Sequence, residues 1–406
     1  MTIVVGEPVV TAGGGRITYE VGLGGVDGVD RLWFSLPESA SAFVSSRADA
    51  AVLAVLMPAM RLRRDLVVEG PVTDELVWNL RHDVPAILRG VRPELAGIRF
   101  EAHDLAHPLE SAGHAVVTAY SAGVDSYATL ARHHFAPDVP DALRLTHLVY
   151  NNVGSHGRGD RGRELYRRRL ASIRDGASTI GLPLLDVDSN LDDLYTAPGL
   201  GFQQTHTMRN AAVAHLLAGG IRRFLYASSV PYPDVASTPI YDLSYADPLL
   251  LPALSCGSLL LQPSGTDLDR AQKTALVARV PHSYDRLDVC TESTDGTNCS
   301  TCWKCRRTML TLDVLGELDH YRGVFDVPDD PRWPEAYLRE ALGRTMQPRS
   351  QPSSRAIVEL YEERIGIPMS WRAAARGRET VAAVRRAARS ASRGAARLAR
   401  ARGERA

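Results

Sequence analysis

Four of the five cysteines lie close together, with the spacing Cys-X8-Cys-X2-Cys-X2-Cys: Cys290, Cys299, Cys302 and Cys305. Four thiolates in one short segment suit a tetrahedral Zn²⁺ ion, and sites of this kind usually stabilise a fold rather than catalyse a reaction. An iron–sulfur cluster or two disulfides would use the same residues, although disulfides are rare inside cells. The spacing therefore predicts a metal site, with zinc as the favoured ion.

A short loop of small and polar residues is the second candidate site: Ser121, Ala122, Gly123, Val124, Asp125 and Ser126. It lies between a predicted strand (114–120) and a predicted helix, so its backbone N–H groups would face an anion at the start of that helix. Asp125 could hold Mg²⁺ or orient the loop. An alanine at position 122 is expected to be tolerated in such a loop if its φ angle is negative. The alternative is an ordinary strand-to-helix turn capped by serine and aspartate.

Three further polar residues are candidates for contacts with a bound nucleotide: Arg209, Asn210 and Lys273. The first two open a predicted helix and could contact a nucleotide or an activated oxygen; the alternative is a solvated helix start. Lys273 is one of only two lysines in the chain. It could neutralise charge on a phosphate, or it could lie on an exposed basic helix face. Cys256, the only cysteine outside the cluster, is either a sulfur carrier or a buried inert thiol.

Short β-branched segments alternate with helix-length segments from about residue 114, which predicts a parallel sheet covered by helices on both faces. The strands predicted after residues 114–120 are 145–150, 184–187 and 223–227. The helices predicted between them are 126–134, 161–180 and 208–218. Sheets of this α/β class bind ligands at the carboxyl ends of their strands, which is where residues 121–126 would lie.

The loop at residues 121–126 resembles the Ser-Gly-Gly-X-Asp-Ser signature of PP-loop ATP pyrophosphatases, with Ala122 in place of one glycine. The cysteine spacing resembles the zinc site of one branch of that family, the 7-cyano-7-deazaguanine synthases. Three other stretches are similar in the same order: Met208-Arg209-Asn210, Tyr232-Pro233-Asp234 and Arg270-Ala271-Gln272-Lys273. The resemblance covers about residues 114–316. Residues 151–160 do not match that branch, so the deazaguanine substrate is not carried over.

The resemblance implies a PP-loop, adenine-nucleotide-hydrolase-like fold with ATP, Mg²⁺ and Zn²⁺ as cofactors. It implies that residues 121–126 and Asn210 bind the nucleotide, and that Asp125, Arg209 and Lys273 are catalytic. The implied reaction cleaves ATP to AMP and pyrophosphate. It activates a carboxylate or amide carbonyl of a small-molecule substrate for attack by ammonia or an amine. Two alternatives stay open: sulfur insertion into a small molecule or tRNA, and a non-catalytic nucleotide- or RNA-binding module.

The net charge and the distribution of apolar residues limit the compartments and the partners that are expected for this protein. The formal net charge of +0 gives no whole-molecule attraction to nucleic acid or to anionic membranes. No apolar run reaches the roughly 18 residues of a membrane span, and the N-terminus lacks a signal-peptide pattern. We therefore expect a cytoplasmic protein without membrane contact, and a homo-oligomer is compatible with this composition.

The chain divides into four predicted segments. Residues 1–105 are predicted to form a small α+β domain of unknown role, with helices at 48–60 and 73–88. Residues 106–325 form the ATP-binding domain with its zinc-binding lobe, and 326–370 form a helical extension. Residues 371–406 form an Arg/Ala-rich tail with an arginine at 385, 389, 393 and 397. On a helix these arginines would make a basic stripe able to meet RNA; a disordered tail is the favoured interpretation.

Overall fold

Eleven strands form one mixed sheet in the computed structural model of the chain, which describes residues 1–109, 113–330, 332–345, 352–377 and 380. In chain order the strands are β1 (Thr2–Val5), β2 (Val9–Gly13), β3 (Arg16–Gly24), β4 (Arg31–Pro37), β5 (Asp65–Thr73), β6 (Phe100–Ala106), β7 (Ala115–Ala119), β8 (His147–Asn151), β9 (Leu184–Ser189), β10 (Ile221–Ala227) and β11 (Leu260–Ser264). Neighbouring strands follow the order β11-β10-β7-β8-β9-β4-β3-β1-β5-β6, and β2 pairs with β3 outside this row.

The strands β11, β10, β7, β8 and β9 pair in parallel and form the half of the sheet that carries the candidate sites. Consecutive residues of β7, Val116 and Val117, are both buried, as a parallel strand covered on both faces requires. The chain runs from β7 to β8 on one side, and a later strand, β10, pairs with β7 on the other side. This reversal makes the carboxyl end of β7 a switch point, where open α/β sheets bind ligands.

Helices cover both faces of the parallel half, and further helices follow it in the described part of the chain. They are α1 (Asp49–Leu62), α2 (Asp74–Arg81), α3 (Asp83–Val91), α4 (Val124–Leu130), α5 (Gly159–Ile180), α6 (Leu191–Thr196), α7 (His206–Leu216), α8 (Asp247–Ala253), α9 (Arg270–Val277), α10 (Trp303–Leu315), α11 (Trp333–Thr345) and α12 (Pro352–Arg364). Val117 lies in a core with α1 and α7, whereas Val116 lies in a second core with α4, α5 and α9. The prediction of an α/β fold with a mostly parallel sheet flanked by helices is confirmed. Within the described ranges, no helix has both the length and the apolar character needed to cross a membrane.

Strand β4 joins the first part of the chain to the parallel half of the sheet. Phe34 and Ser35 of β4 pair antiparallel with Ser189 and Asp188 of β9. Helix α1 packs against α7, so side chains from both parts of the chain contribute to one hydrophobic core. The boundary predicted at residue 105 therefore lies within a continuous sheet and a shared core.

The C-terminal helices form a third, smaller core. Helices α11 and α12 pack on each other and on α10. Residues 369–377 are helical, Ala375 is fully buried, and Arg372 makes an ion pair with Glu362 at 2.7 Å. The tail predicted to begin at residue 371 is therefore part of the packed chain as far as residue 377. Its four regularly spaced arginines lie outside the described residues.

Candidate functional site

The tight loop (residues 121–126) connects the carboxyl end of β7 to the start of α4 at the switch point of the sheet. Ala122 has a φ of 56°, in the left-handed region that favours glycine, so the condition under which alanine was expected to fit this position is not met. An alanine in this conformation costs about 1 kcal/mol. Ser121 is exposed, whereas the hydroxyl of Ser126 donates to the carbonyl oxygen of Gly123 at 2.9 Å.

The segment that precedes the cysteine cluster forms a backbone hydrogen bond with the tight loop. The backbone N–H of Asp288 donates to the carbonyl oxygen of Ala122 at 2.9 Å. A Cβ atom built on Gly123 would lie 3.4 Å from the carbonyl oxygen of Asp288, so the loop has little room for a larger side chain there. The carboxylate of Asp288 in turn accepts the N–H of Cys290 at 3.2 Å. The loop and the cysteine cluster are therefore neighbours.

Asp125 and Lys273, two of the predicted site residues, meet across the site. Arg270 donates to one carboxylate oxygen of Asp125 at 2.7 Å, and Lys273 donates to the other at 3.3 Å. Lys273 is 1% exposed and also donates to the carbonyl oxygen of Ser228. Burial alone would raise the pKa of Asp125, but the two cations lower it to about 2. Asp125 is therefore ionised at neutral pH and is held in place from α9.

Two more cations, Lys304 and Arg307, lie on α10. Burial lowers the pKa of Lys304, and the positive charges of Arg307 and Arg270 lower it further. Burial and the charge of Arg270 lower the pKa of Arg307 to about 9. Helix α10 packs against α9, which carries Arg270 and Lys273, so the four cations lie on two neighbouring helices. We call Arg270, Lys273, Lys304 and Arg307 the cation cluster.

Arg209 and Asn210 lie on α7 and contact the segment after β8. Arg209 is fully buried, and its Nη1 donates to the carbonyl oxygen of Val153 at 2.6 Å and to the carboxylate of Asp192 at 2.7 Å. The side chain of Asn210 accepts a hydrogen bond from Asn151 at 2.9 Å. Across the described ranges, no hydrogen bond or ion pair links either side chain to Asp125. The structure thus brings Lys273 to the tight loop but leaves Arg209 in a separate buried network.

A series of buried polar side chains starts where Lys273 contacts Ser228. This series was not predicted from the sequence. Its centre is Asp247, which is fully buried and accepts hydrogen bonds from Thr207 at 2.7 Å and from Ser228 at 3.3 Å. Burial raises the pKa of Asp247 to about 7. Ser228 connects it to Lys273, whose ammonium group donates to the Ser228 carbonyl oxygen. A carboxyl group with a pKa near neutral therefore contacts Ser228, which in turn contacts Lys273 of the cation cluster.

The same series continues from Thr207 to the surface through His206. The Nδ1 atom of His206 lies 2.7 Å from the hydroxyl of Tyr226, and its Nε2 atom lies 3.0 Å from the carboxylate of Asp242. Burial lowers the pKa of His206, but Asp242 more than offsets this and the net shift is upward. Only the fold brings these residues together.

The four cysteines form one compact cluster. Their Sγ atoms all lie within 4.8 Å of one another, with Cys302 at 3.5 Å from Cys305 and at 4.0 Å from Cys290. Four thiolates at the 2.3 Å Zn–S distance of a tetrahedral site lie about 3.8 Å apart. Backbone N–H groups also point at the sulfur atoms, as Ser293 does toward Cys290 at 3.2 Å. All five cysteines are free thiols, so the cluster could hold a metal ion such as zinc.

Cys256 and the tight loop lie at opposite ends of the parallel strands. It precedes β11, so it lies near the amino end of that strand, whereas the loop follows the carboxyl end of the parallel strand β7. It is 6% exposed, and its sulfur lies 3.4 Å from the hydroxyl of Ser258. Burial raises the pKa of its thiol. This environment is that of a buried inert thiol rather than of a sulfur carrier.

The chain matches no family model, no curated protein and no solved structure. We therefore argue its function from the geometry and the charges of the site.

Proposed function

We propose that this chain is an ATP-dependent adenylating enzyme of the PP-loop pyrophosphatase type, which forms a carbon–nitrogen bond on a small-molecule substrate. The observation that carries this proposal is the cation cluster on α9 and α10, two members of which hold the ionised Asp125 beside the tight loop at the switch point of the sheet. A ligand with several negative charges is the natural counterpart of such a site. The β,γ-pyrophosphate of ATP has that charge and fits the loop resemblance.

The proposed reaction has two chemical steps. A carboxylate or amide oxygen of the substrate attacks the α-phosphorus of ATP, and the bond from that phosphorus to the bridging oxygen breaks, releasing pyrophosphate. Ammonia or an amine then attacks the activated carbon. AMP leaves with the original substrate oxygen, and the nitrogen loses its proton to solvent or to a nearby base.

The residues of the site neutralise and position the reacting groups. Lys273 and Arg270 face the pyrophosphate from α9 and stabilise the charge that grows on it as the bond breaks. The tight loop fixes the distance between the phosphates and β7, which aligns the α-phosphorus with the incoming oxygen. Mg²⁺, when bound with ATP, would supply further charge neutralisation, and Asp125 is the carboxylate placed to meet it.

The cysteine cluster has a structural role in this proposal. Zinc held by Cys290, Cys299, Cys302 and Cys305 would fix the segment around Asp288, whose backbone N–H supports the tight loop. Among the partners, we propose a small-molecule substrate and an amine donor. RNA remains a second partner to test, and the tail would be its contact.

Product analysis tests the proposal. The protein is incubated with ATP, Mg²⁺, ammonium and a panel of carboxylates and primary amides, and nucleotides are separated by ion-exchange chromatography. We expect AMP and pyrophosphate in equal amounts with the correct substrate. Formation of ADP and phosphate alone would contradict the assignment. ATP binding without turnover for any substrate would favour a non-catalytic nucleotide-binding module.

Two valine variants make the test specific to the tight loop. Gly123→Val should abolish ATP binding, because the added side chain would meet Asp288 and narrow the approach to the phosphates. Gly22→Val is the matched control: it lies in β3, where a built Cβ atom meets nothing within 4 Å, and valine favours strands. We expect the control to bind ATP with unchanged affinity in isothermal titration calorimetry.

A further inference from the structure

The switch point of the sheet has two walls, of which the tight loop is one. The tight loop leads from β7 into α4, which packs in one core, whereas β10 leads into α8, which packs in the other. Ligands of open α/β sheets bind in the crevice between two such connections. Lys273 links the two sides, because its ammonium group donates to Asp125 and to the carbonyl oxygen of Ser228. The segment after β10, residues 228–246, is therefore the second wall of the crevice.

Three side chains form a hydrogen-bonded triad at this second wall. Tyr226 lies near the carboxyl end of β10, His206 opens α7, and Asp242 lies within the wall itself. The Nδ1 atom of His206 is 2.7 Å from the hydroxyl of Tyr226, and its Nε2 atom is 3.0 Å from the carboxylate of Asp242. An ionised carboxylate only accepts hydrogen bonds, so Nε2 carries the proton of the neutral ring. Nδ1 is then the acceptor for the Tyr226 hydroxyl.

Asp242 is fixed in the orientation that this arrangement requires. Its Oδ1 atom also accepts the N–H of Ser244 at 2.9 Å and the hydroxyl of the same residue at 2.7 Å. Burial would raise the pKa of Asp242, but His206 and Ser244 lower it below its usual value. The side chain of Asp242 is 35% exposed, so the triad runs from the crevice to the surface. A proton-exchanging hydroxyl, a base and a carboxylate that orients the base are the parts of a proton-transfer device.

Asp247 is a second proton-exchanging group at this wall and has to be weighed against the triad. It is 0% exposed, and each of its carboxylate oxygens already accepts a hydrogen bond, one from Thr207 and one from Ser228. A substrate therefore has no access to Asp247. Tyr226 keeps 9% of its surface exposed at the end of β10. The triad is thus the better candidate for direct contact with a reacting group.

We propose that Tyr226, His206 and Asp242 take up the proton that the attacking ammonia or amine loses, a role that rests on the proposed function. The nitrogen bonds to the activated carbon as the bond from that carbon to the oxygen of AMP breaks. The N–H proton passes to the oxygen of Tyr226 while the hydroxyl proton of Tyr226 moves to Nδ1 of His206. Asp242 stabilises the resulting imidazolium, which later releases its proton to solvent. Tyr226 is the catalytic residue here, and the other two are positioning residues.

Measuring the two chemical steps separately tests this role. Exchange of labelled pyrophosphate into ATP without ammonium reports adenylation alone, whereas the aminated product formed with ammonium reports both steps. The substrate is the panel compound that yields most AMP. Tyr226→Phe and His206→Gln should keep exchange within about twofold of the parent but lower the turnover number for product roughly a hundredfold. Glutamine can still donate to Asp242 but has no basic nitrogen.

A tyrosine in the same core gives the matched control. Tyr195 is fully buried, and its hydroxyl has no hydrogen-bond partner among the described residues. Tyr195→Phe should leave both exchange and product formation within about twofold of the parent. Product formation that is unchanged in Tyr226→Phe would overturn the proposal. Loss of exchange together with product in both test variants would also overturn it, because the triad would then serve adenylation or the fold.

The protonation of His206 tests the triad without any substrate. Nitrogen-15 NMR of the full-length protein, at a pH at which the ring is neutral, should show the proton on Nε2 and a free electron pair on Nδ1. Tyr226→Phe should shift the Nδ1 resonance, because the hydroxyl that donates to it is gone. A proton on Nδ1 in the neutral ring would overturn the proposal. If the parent protein forms no AMP and exchanges no pyrophosphate with any compound, the proposed function fails instead, whatever the NMR result.

Discussion

At the residue scale, Ala122 holds a backbone conformation that its side chain disfavours. Its φ is 56°, it is 5% exposed, and its carbonyl oxygen accepts the N–H of Asp288. Glycine adopts this conformation without the steric cost of a Cβ atom, although it loses more entropy on folding. We expect Ala122→Gly to raise the free energy of unfolding by about 0.5–1 kcal/mol, measured by urea denaturation.

A second alanine gives the control for this prediction. Ala336 is exposed within α11, where glycine lacks any steric advantage. Ala336→Gly should lower the free energy of unfolding by about 1 kcal/mol. A similar loss in Ala122→Gly would show that the tight loop does not hold residue 122 at positive φ in solution.

Residue types predicted the members of the site better than their arrangement. Asp125 and Lys273 were each predicted from a short motif, yet they are 148 positions apart in the chain and meet only through the fold. Asp247 was missed because an aspartate before a proline looks like any helix start. It becomes informative only through its complete burial beside Lys273.

At the element scale, the parallel strands were the easiest features to predict. The strand predicted at 114–120 is Ala115–Ala119, and the strand predicted at 223–227 is Ile221–Ala227. Consecutive apolar residues in the middle of each strand are buried, so both faces of the strand are covered and the apolar run is visible without knowing the register. The helix predicted at 73–88 is instead two helices, because His82 has φ −121° and ψ −85° and breaks the helical backbone.

The position of Cys256 on the sheet separates nitrogen from sulfur transfer. A sulfur carrier has to reach the activated carbon, but Cys256 lies near the amino end of β11 and is buried. Cys256→Ala should therefore leave AMP formation and product yield within about twofold of the parent, with a small loss of stability. Complete loss of product with normal ATP binding would favour sulfur insertion and contradict the amine-transfer proposal.

At the scale of the whole molecule, the sheet joins segments that sequence analysis treated separately. The pairing of β4 with β9 connects residues that are more than 150 positions apart, as the hydrogen bond from Trp33 N–H to Asn190 at 2.9 Å shows. Antiparallel pairing at such separation leaves no local signal, because each strand looks the same whether or not it has that neighbour. The sequence of residues 1–105 alone therefore could not predict that this segment pairs with β9.

Asp49 is a second connection between the two parts of the chain. It is 2% exposed and accepts hydrogen bonds from the N–H and the hydroxyl of Thr73 at 2.7 and 2.6 Å. His215 of α7 lies 3.8 Å from the same carboxylate and donates through Nε2 to the carbonyl oxygen of Leu254. Burial would raise the pKa of Asp49, but His215 and Thr73 lower it below its usual value. The carboxylate is therefore ionised in the folded chain.

Because Asp49 bridges both parts, its loss should destabilise the whole chain in one step. Asp49→Ala leaves buried donors without a partner, which costs about 3 kcal/mol. Variants that keep only Trp33 in β4 or only Trp303 in α10 report on the two parts by fluorescence during urea unfolding. We expect the substitution to lower the midpoint equally for both probes. A shift confined to Trp33 would show that residues 1–105 unfold as an independent unit.

The stability of the folded chain at acid pH tests the same prediction. The folded pKa of Asp49 lies below its unfolded value, so its contribution is present above about pH 4, the usual pKa of an aspartate. That contribution is lost as the pH falls through that value toward the folded pKa. The stability difference between the parent and Asp49→Asn should therefore shrink below about pH 4, provided that both proteins remain folded there. A difference that stays constant or grows toward low pH would mean that Asp49 does not hold the two parts together as a carboxylate.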